Sequence, residues 1–289
     1  MVTEVLVGLN CRPGRLYVDG TVGEGGHATA ILDRIAPNGE LWGLDQDPAV
    51  LKVAEGRLAH QTSRFSLFHR SYTQLGEVLM ARGKPGVDGI LLDLGLSSYQ
   101  LERSQRGFSF WGEEPLDMRF NPELPGPTAA DLLNSASLRE LERLFRDYGE
   151  EPRPRRLARL VVQARRRSPF RTTRQLVEVA QQALGPPQGR RRHPATRVFQ
   201  ALRIAVNREL EQLDSFLNQV PGWLLPGGRL VVISYHSLED RLVKEHLAAW
   251  DRAGVMRRLH RKPLTPGAQE VRENPRARSA KLRAAEKSA

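Results

Sequence analysis

The sequence predicts an α/β protein: a parallel sheet with helices between its strands, interrupted by a helical and strongly basic insertion. Three observations carry this. Apolar strand-like runs alternate with helix-length segments over the first hundred residues; the alternation stops after Leu101 and a buried strand pattern returns at Arg229 to Ser234; and positive charge is concentrated in the stretch between. With 289 residues, 40% of them apolar, the chain can bury the core of one large or two modest domains, which excludes a disordered or fibrous protein.

The candidate strands in order are Leu16 to Asp19, Glu40 to Asp45, Phe65 to His69 and Val87 to Asp93. Glycine, proline and charge dominate from Leu101 to about Leu124, and the following ~75 residues read as short helices without strands. A long helix is expected from Thr196 to Gln219. Its apolar stripe is Val198, Leu202, Val206, Leu210, Leu213 and Leu217, while Gln200, Arg203 and Asn207 share a polar face expected to look into a substrate cleft. A Pro226-Gly227-Gly228 turn, the strand Arg229 to Ser234 and a helix N-capped by Ser237, with Asp240 three residues on, come next. Val255 to Pro263 and Ser279 to Ala285 supply two last strands. Residues 1–101 and 205–289 thus form one discontinuous domain, with 102–204 inserted as a helical, basic module. Pro152 to Arg156 and Pro186 to Arg192 mark loops within the insertion.

Net charge is +11, from 44 basic and 33 acidic residues. Between Arg153 and Arg203, fourteen arginines face one acidic residue, Glu178, so this window exceeds the net charge of the whole chain. The planar guanidinium fork suits phosphate, and a localised basic segment points to nucleic acid. No run approaches the ~20 apolar residues of a membrane span, and the N-terminus lacks the basic-then-apolar order of a signal peptide. The lone Cys11 excludes an internal disulfide framework and a Cys-based zinc cluster. A soluble cytoplasmic protein without a membrane partner is expected.

Asp19-Gly20-Thr21-Val22-Gly23-Glu24-Gly25-Gly26-His27 ends a strand and opens the helix through Ala30 to Ile35. Such a turn lets backbone approach a nucleotide-like cofactor, and the helix N-terminus offers unpaired N–H groups. The same residues satisfy the loose dinucleotide pattern G-x-G-x-x-A, and Asp45 can bond ribose hydroxyls in either case. Asp19 tilts the choice, because a carboxylate there repels a pyrophosphate but accepts a bond from an ammonium group, such as that of S-adenosylmethionine. Acids also close the second and fourth strands, at Asp45 and Asp93.

The fourth strand runs out through Asp93-Leu94-Gly95-Leu96-Ser97-Ser98. Together with Gly23 to His27, Arg106 to Phe110, Pro115 to Arg119, Thr196 to Ile204, Ser234 to Arg241 and Asn274 to Ala280, this block makes the chain resemble the bacterial 16S ribosomal RNA cytosine-N4 methyltransferases of the RsmH (MraW) family over nearly its whole length. The resemblance implies a class I, Rossmann-like, S-adenosylmethionine-dependent methyltransferase sheet with an inserted helical domain, acting on 16S rRNA of the small ribosomal subunit near the decoding (P) site. It implies that Gly25, Gly26 and His27 hold the methionine end of the cofactor, Asp45 the ribose and Tyr72 the adenine region, with Asp93 and Gln100 near the sulfonium. The family has proline where this chain has Tyr99 and serine where it has Ala28, and its His-x-Pro-Val-Leu opening is missing before Glu4, as in a shortened start.

The exocyclic N4 of cytosine is a poor nucleophile, its lone pair being delocalised into the ring, so in-line placement and hydrogen-bond acceptors must lower the barrier. Asp93 and Ser97 fit that demand as catalytic groups. Methylation at cytosine C5 needs a cysteine nucleophile, and Cys11 precedes the first strand, outside every motif. Methyl transfer needs no Lewis acid, and no histidine pair has ligand spacing such as H-x-x-x-H, so no metal is expected. Arg119, Arg197, Gln200, Arg203, Asn207, Ser234 and His236 are the candidates for holding RNA while the target base is extruded. The residues alone also admit a nicotinamide-dependent oxidoreductase or a non-catalytic RNA-binding assembly factor. Binding of NAD marks the first; RNA binding indifferent to Asp93 and the glycine turn marks the second.

Overall fold

The computed structural model describes residues 1–61, 63–186 and 193–289. In chain order its elements are α1 (Val2–Leu9), β1 (Leu16–Asp19), α2 (Gly26–Ile35), β2 (Glu40–Asp45), α3 (Pro48–Leu58), β3 (Arg64–His69), α4 (Leu75–Ala81) and β4 (Val87–Asp93), followed by α5 (Ser98–Glu102), α6 (Ala129–Ser135), α7 (Leu138–Asp147), α8 (Pro154–Arg167), α9 (Thr173–Leu184) and α10 (Ala195–Asn207). The chain ends with α11 (Glu209–Trp223), β5 (Leu224–Ser234), α12 (Ser237–Arg252), β6 (Met256–Arg258), α13 (Ala268–Glu273) and β7 (Lys281–Lys287). Two compact units emerge, one of Met1–Ser97 with Leu210–Ala289 and the other of Ser98–Glu209. Part of the expected loop at Pro186 to Arg192, including Arg190, Arg191 and Arg192, lies outside the described residues.

The first unit is a seven-stranded sheet in the order β3-β2-β1-β4-β5-β7-β6. β1 to β5 pair in parallel, whereas β7 runs antiparallel to both β5 and β6. Central strands covered on both faces read as continuous apolar runs, and their alternate residues supply separate cores. Val18, Ile90, Leu92, Leu230 and Val232 pack with α4, α11 and α12. Tyr17, Leu91, Val231 and Ile233 pack with α1, α2 and α3. The short helix α1, which hydrophobic spacing did not reveal, seats Gly8 against the sheet, where a Cβ would stand 3.0 Å from Val231 Cγ2.

Four local expectations are corrected. Of the loop expected at Pro152 to Arg156, Pro154, Arg155 and Arg156 form the first turn of α8, because a proline is well placed at the first position of a helix. The single helix expected over 196–219 is α10 and α11, broken at Arg208 with φ 51°. Asn207 explains the break: its side chain donates to the Arg203 carbonyl at 2.9 Å, competing with the helical backbone, and also bonds a neighbouring loop. The cap of α12 is His236 rather than Ser237; its ring accepts from Glu239 N while Glu239 reaches back to the cap backbone. The 226–228 turn lies inside β5, whose register jumps between Val87–Leu224 and Gly89–Arg229.

The second unit is helical, with Leu141, Phe145, Leu157, Val161, Leu176 and Leu202 in its core. Among the described residues, no helix in either unit is long and apolar enough to cross a membrane.

Candidate functional site

The first unit gathers its reactive side chains at the carboxyl ends of β1, β2 and β4, where open parallel sheets bind ligands. Gly20 begins the turn after β1, and a Cβ there would stand 2.6 Å from Leu92 Cδ2 and 3.1 Å from Tyr72 Cβ. Gly25, with φ 82°, caps α2 without a side-chain bond, which leaves the helix's first N–H groups to a ligand. Gly23 N donates to Asp45 Oδ2 at 3.0 Å and Asp47 N to Asp45 Oδ1 at 3.0 Å, tying the turn to the end of β2. Ser97 closes against the same turn, its Cβ 4.0 Å from where a Gly23 Cβ would be.

Acid dominates the electrostatics. Asp19 is 1% exposed, and Thr21 N donates to its Oδ1 at 3.2 Å. Burial pushes the Asp19 carboxyl up to about 7; His27 and the Thr21 bond oppose this, while Asp93 and Asp45 add to it. Burial likewise pushes Asp45 up to about 6 against its bonds from Asp47 and Gly23. Asp93 is clamped from three sides. Its backbone N donates to Thr21 Oγ1 at 2.7 Å, Tyr235 Oη donates to Oδ1 at 2.9 Å, and His27 Nε2 lies 3.2 Å from Oδ2. Burial and the Asp93 charge both push the Tyr235 phenol up, so it stays protonated and remains a donor. For His27, burial pulls the pKa down, but the bond to Asp93 and the charges of Asp93 and Asp19 outweigh it and the net shift is upward. Its Nδ1 is buried without a hydrogen-bond partner.

A profile of the MraW methylase family matches residues 1–288. The chain belongs to that family. The methylase is 50% identical to the ribosomal RNA small subunit methyltransferase H of Geobacter sulfurreducens, over 99% of this chain and 97% of that protein. It is 48% identical to the protein of the same name from Methylococcus capsulatus, over the full length of both. Among solved structures, an rRNA methylase from Streptococcus thermophilus aligns with 10% identity and a TM-score of 0.47, over 100% of this chain and 94% of that one.

The methylase is an S-adenosylmethionine-dependent methyltransferase built on the mainly parallel, seven-stranded sheet described above. The residues at the site fit the cofactor. Buried carboxylates at Asp19 and Asp45 suit a ligand that brings positive charge, the first turn of α2 suits its carboxylate, and the orphaned His27 Nδ1 awaits a partner that a ligand can supply.

Gly25, Gly26, His27, Asp45, Asp93 and Ser97 therefore come together in one unit. Tyr72 lies beside them, mostly committed to the core through an edge contact with Phe216 at 5.3 Å. Gln100 is buried on α5 of the other unit. The expected RNA contacts fare differently. Gln200 and Asn207 do not face an open cleft: Gln200 Nε2 donates to the Tyr148 carbonyl at 3.0 Å, and the Asn207 amide bridges Phe120 N and the Met118 carbonyl, because those loop groups need partners. Arg203 is held by Glu209 at 2.7 Å and Arg119 by Asp117 at 2.8 Å, both in two-pronged pairs. Ser234 is 2% exposed, its hydroxyl turned to the Lys281 carbonyl at 3.4 Å. His236 caps α12, with Nε2 3.0 Å from Glu239 Oε1 but outside hydrogen-bond geometry. Arg197 is half-buried and, among the described residues, has no ion pair.

The clamp on Asp93 by Tyr235 is the feature that motif reading missed. The strand register accounts for it: Asp93 stands opposite Ile233, so Tyr235, two residues further, lies over the turn that follows Asp93. Gly95, with φ 111°, leaves room for the phenol ring, which would be 3.1 Å from a Cβ there.

Proposed function

We propose that this methylase transfers the methyl group of S-adenosylmethionine to the exocyclic N4 of a cytosine in 16S rRNA of the small ribosomal subunit, near the decoding site, and that it does so in the cytoplasm. The small-subunit RNA substrate is supported by the names of full-length relatives that are about half identical to the chain. The single observation that carries the chemistry is the clamped carboxylate of Asp93, beside Ser97 and the glycine turn.

Bound at the turn, S-adenosylmethionine supplies a methyl group on a cationic sulfur. Gly25, Gly26 and His27 hold its amino-acid end, Asp19 accepts from its ammonium, Asp45 accepts from the ribose hydroxyls, and Tyr72 and Gln100 border the adenine and the sulfonium. Asp93 and Ser97 would accept hydrogen bonds from the N4 amino group, which localises its lone pair for in-line attack; as the N–CH3 bond forms the S–CH3 bond would break, the sulfur leaving as the neutral thioether of S-adenosylhomocysteine, and the Asp93 carboxylate would take up the proton released from N4. Tyr235 and His27 keep the Asp93 carboxylate in one orientation, the usual requirement for a positioned acceptor. Arg197 contacts the RNA; Arg119, Arg203, Asn207, Gln200, Ser234 and His236 each carry the intramolecular bonds described above. Direct roles for these six would require exchanging an intramolecular partner for RNA. The reaction calls for no metal.

The test is to incubate the protein with methyl-labelled S-adenosylmethionine and small subunits lacking the modification, then to digest the RNA and identify labelled nucleosides by mass. N4-methylcytidine is expected. Label in another nucleoside, or none while cofactor binding is intact, overturns the assignment. Ser97→Ala is expected to lower kcat more than cofactor affinity, and an unchanged kcat removes Ser97 from the mechanism.

A further inference from the structure

Two groups among the arginines of the second unit contrast. One group is structural: Arg165 donates from NH1 to the carbonyls of Leu133 and Ala136 at 2.9 and 2.6 Å, closing the end of α6, and Arg203 is paired with Glu209. On α7, Arg146 lies 3.0 Å from Asp147, and on α9 Arg174 lies 3.2 Å from Glu178. The other group is on α8. Arg155, Arg156, Arg159, Arg166 and Arg167 are all exposed, and among the described residues none has an acidic partner. Arg156 makes one long bond, to the Gln182 carbonyl at 3.4 Å.

At about 100° per residue these five side chains occupy an arc of about 120° opposite the buried Leu157, Ala158 and Val161, and at 1.5 Å per residue they run about 18 Å along the helix. Folding does not explain this face. Like charges three and four residues apart repel, as for Arg155 and Arg156 with Arg159. Arg155 and Arg156 also sit in the first turn, at the positive end of the helix dipole, where α8 has no acidic residue and no side-chain cap. Local stability is sacrificed without an intramolecular return, which is the mark of a face kept for a partner. Guanidinium groups in a row match the phosphates of a nucleic-acid backbone.

We infer that the arginine face of α8 is a binding surface for the phosphate backbone of single-stranded RNA. It rests on the RNA-methylation reading above and adds the element that grips the strand. The contacts are sequence-independent: they set affinity and its salt dependence, and they leave cofactor binding untouched.

The experiment compares the full-length protein with the triple variant R155Q/R159Q/R166Q, which removes three charges along one stripe and keeps polar, helix-favouring side chains. Binding of oligouridylate and of small-subunit RNA is measured from low to physiological salt. The variant is expected to bind both RNAs about 10- to 100-fold more weakly at 0.15 M salt, with a log–log salt slope shallower by about 2. Its affinity for S-adenosylmethionine should equal that of the wild type, and its Tm should be unchanged or higher, because repulsion is relieved. Arg146→Gln on α7 is the control and should leave the slope unchanged. A triple variant with wild-type slope and affinity overturns the inference. A lower Tm with unchanged slope means the arginines are structural and overturns it too. If the wild type fails to methylate small-subunit RNA yet its salt-dependent binding is lost in the variant, the α8 surface stands and the proposed substrate falls.

Discussion

Asp93→Asn is expected to lower kcat/KM for RNA by at least about 100-fold, within the range for loss of a positioned proton acceptor. Asparagine is nearly isosteric and keeps an oxygen for Tyr235, so the turn after β4 and the Tyr235 ring over Gly95 should persist. What disappears is the negative charge that raises the His27 pKa and provides the acceptor for N4. Cofactor affinity should change by less than about tenfold, since Asp19 and Asp45 keep their own backbone bonds. Tyr235→Phe separates charge from orientation. It leaves the carboxylate but removes the 2.9 Å donor, and kcat should fall about tenfold or less while KM stays near wild type. Single-turnover methylation of small-subunit RNA checks both variants. Asp93→Asn activity within threefold of wild type would remove Asp93 from the chemistry.

The second large effect concerns pH and Asp19. In the cofactor-free protein, burial holds this carboxyl at about 7, so it is mainly protonated below neutrality. A ligand carrying positive charge favours the ionised form, so binding releases a proton. Affinity for S-adenosylmethionine should therefore rise as pH increases toward 7, with a limiting slope of about tenfold per pH unit, and level off above it. Asp45, pushed up to about 6, steepens the acid side of this profile. In Asp19→Asn the dependence between pH 6 and 7 should flatten, and affinity at pH 8 should fall about 10- to 100-fold.

The stability of the cofactor-free protein follows with the opposite sign. Because the folded pKa of Asp19 lies above the unfolded value of 3.8, the folded state binds more protons between those pH values. The resulting stability is complete below the unfolded pKa and is lost as pH rises through about 7, by an amount on the order of a few kcal/mol. The raised pKa of His27 acts in the same direction. Denaturant titration from pH 5 to 8 should show the cofactor-free protein weakest at the alkaline end, Asp19→Asn less affected, and S-adenosylmethionine restoring the wild type. Superimposable wild-type and Asp19→Asn profiles would mean that Asp19 does not titrate in this window.

Much of the site was legible because its parts are local. The glycine turn is one continuous segment, and Asp19, Asp45 and Asp93 each end an apolar strand that alternation alone locates. A parallel sheet then brings consecutive strand ends to one edge without further information. Long-range pairing was not legible. Tyr235 meets Asp93 across 142 positions, and whether His27 faces Asp93 or solvent depends on the path of a turn whose glycines permit many conformations. The polar stripe Gln200, Arg203 and Asn207 has the spacing of an exposed face, yet each member answers a group supplied by folding: the Tyr148 carbonyl, Glu209, and the loop at Met118 to Phe120.

The sequence by itself determined the order of the strands along the chain, the basic character of the segment between them and the acidic strand ends, since these follow from periodicity, breaker residues and charge along the chain. Tertiary structure decided which charges remain available. Fourteen arginines look alike between Arg153 and Arg203, and only packing reveals that Arg165 and Arg203 are spent on carbonyl and carboxylate partners while, among the described residues, the exposed face of α8 has no acidic partner. The reason is that a guanidinium's free energy is set by what stands within hydrogen-bond reach and by its desolvation, and both belong to the fold.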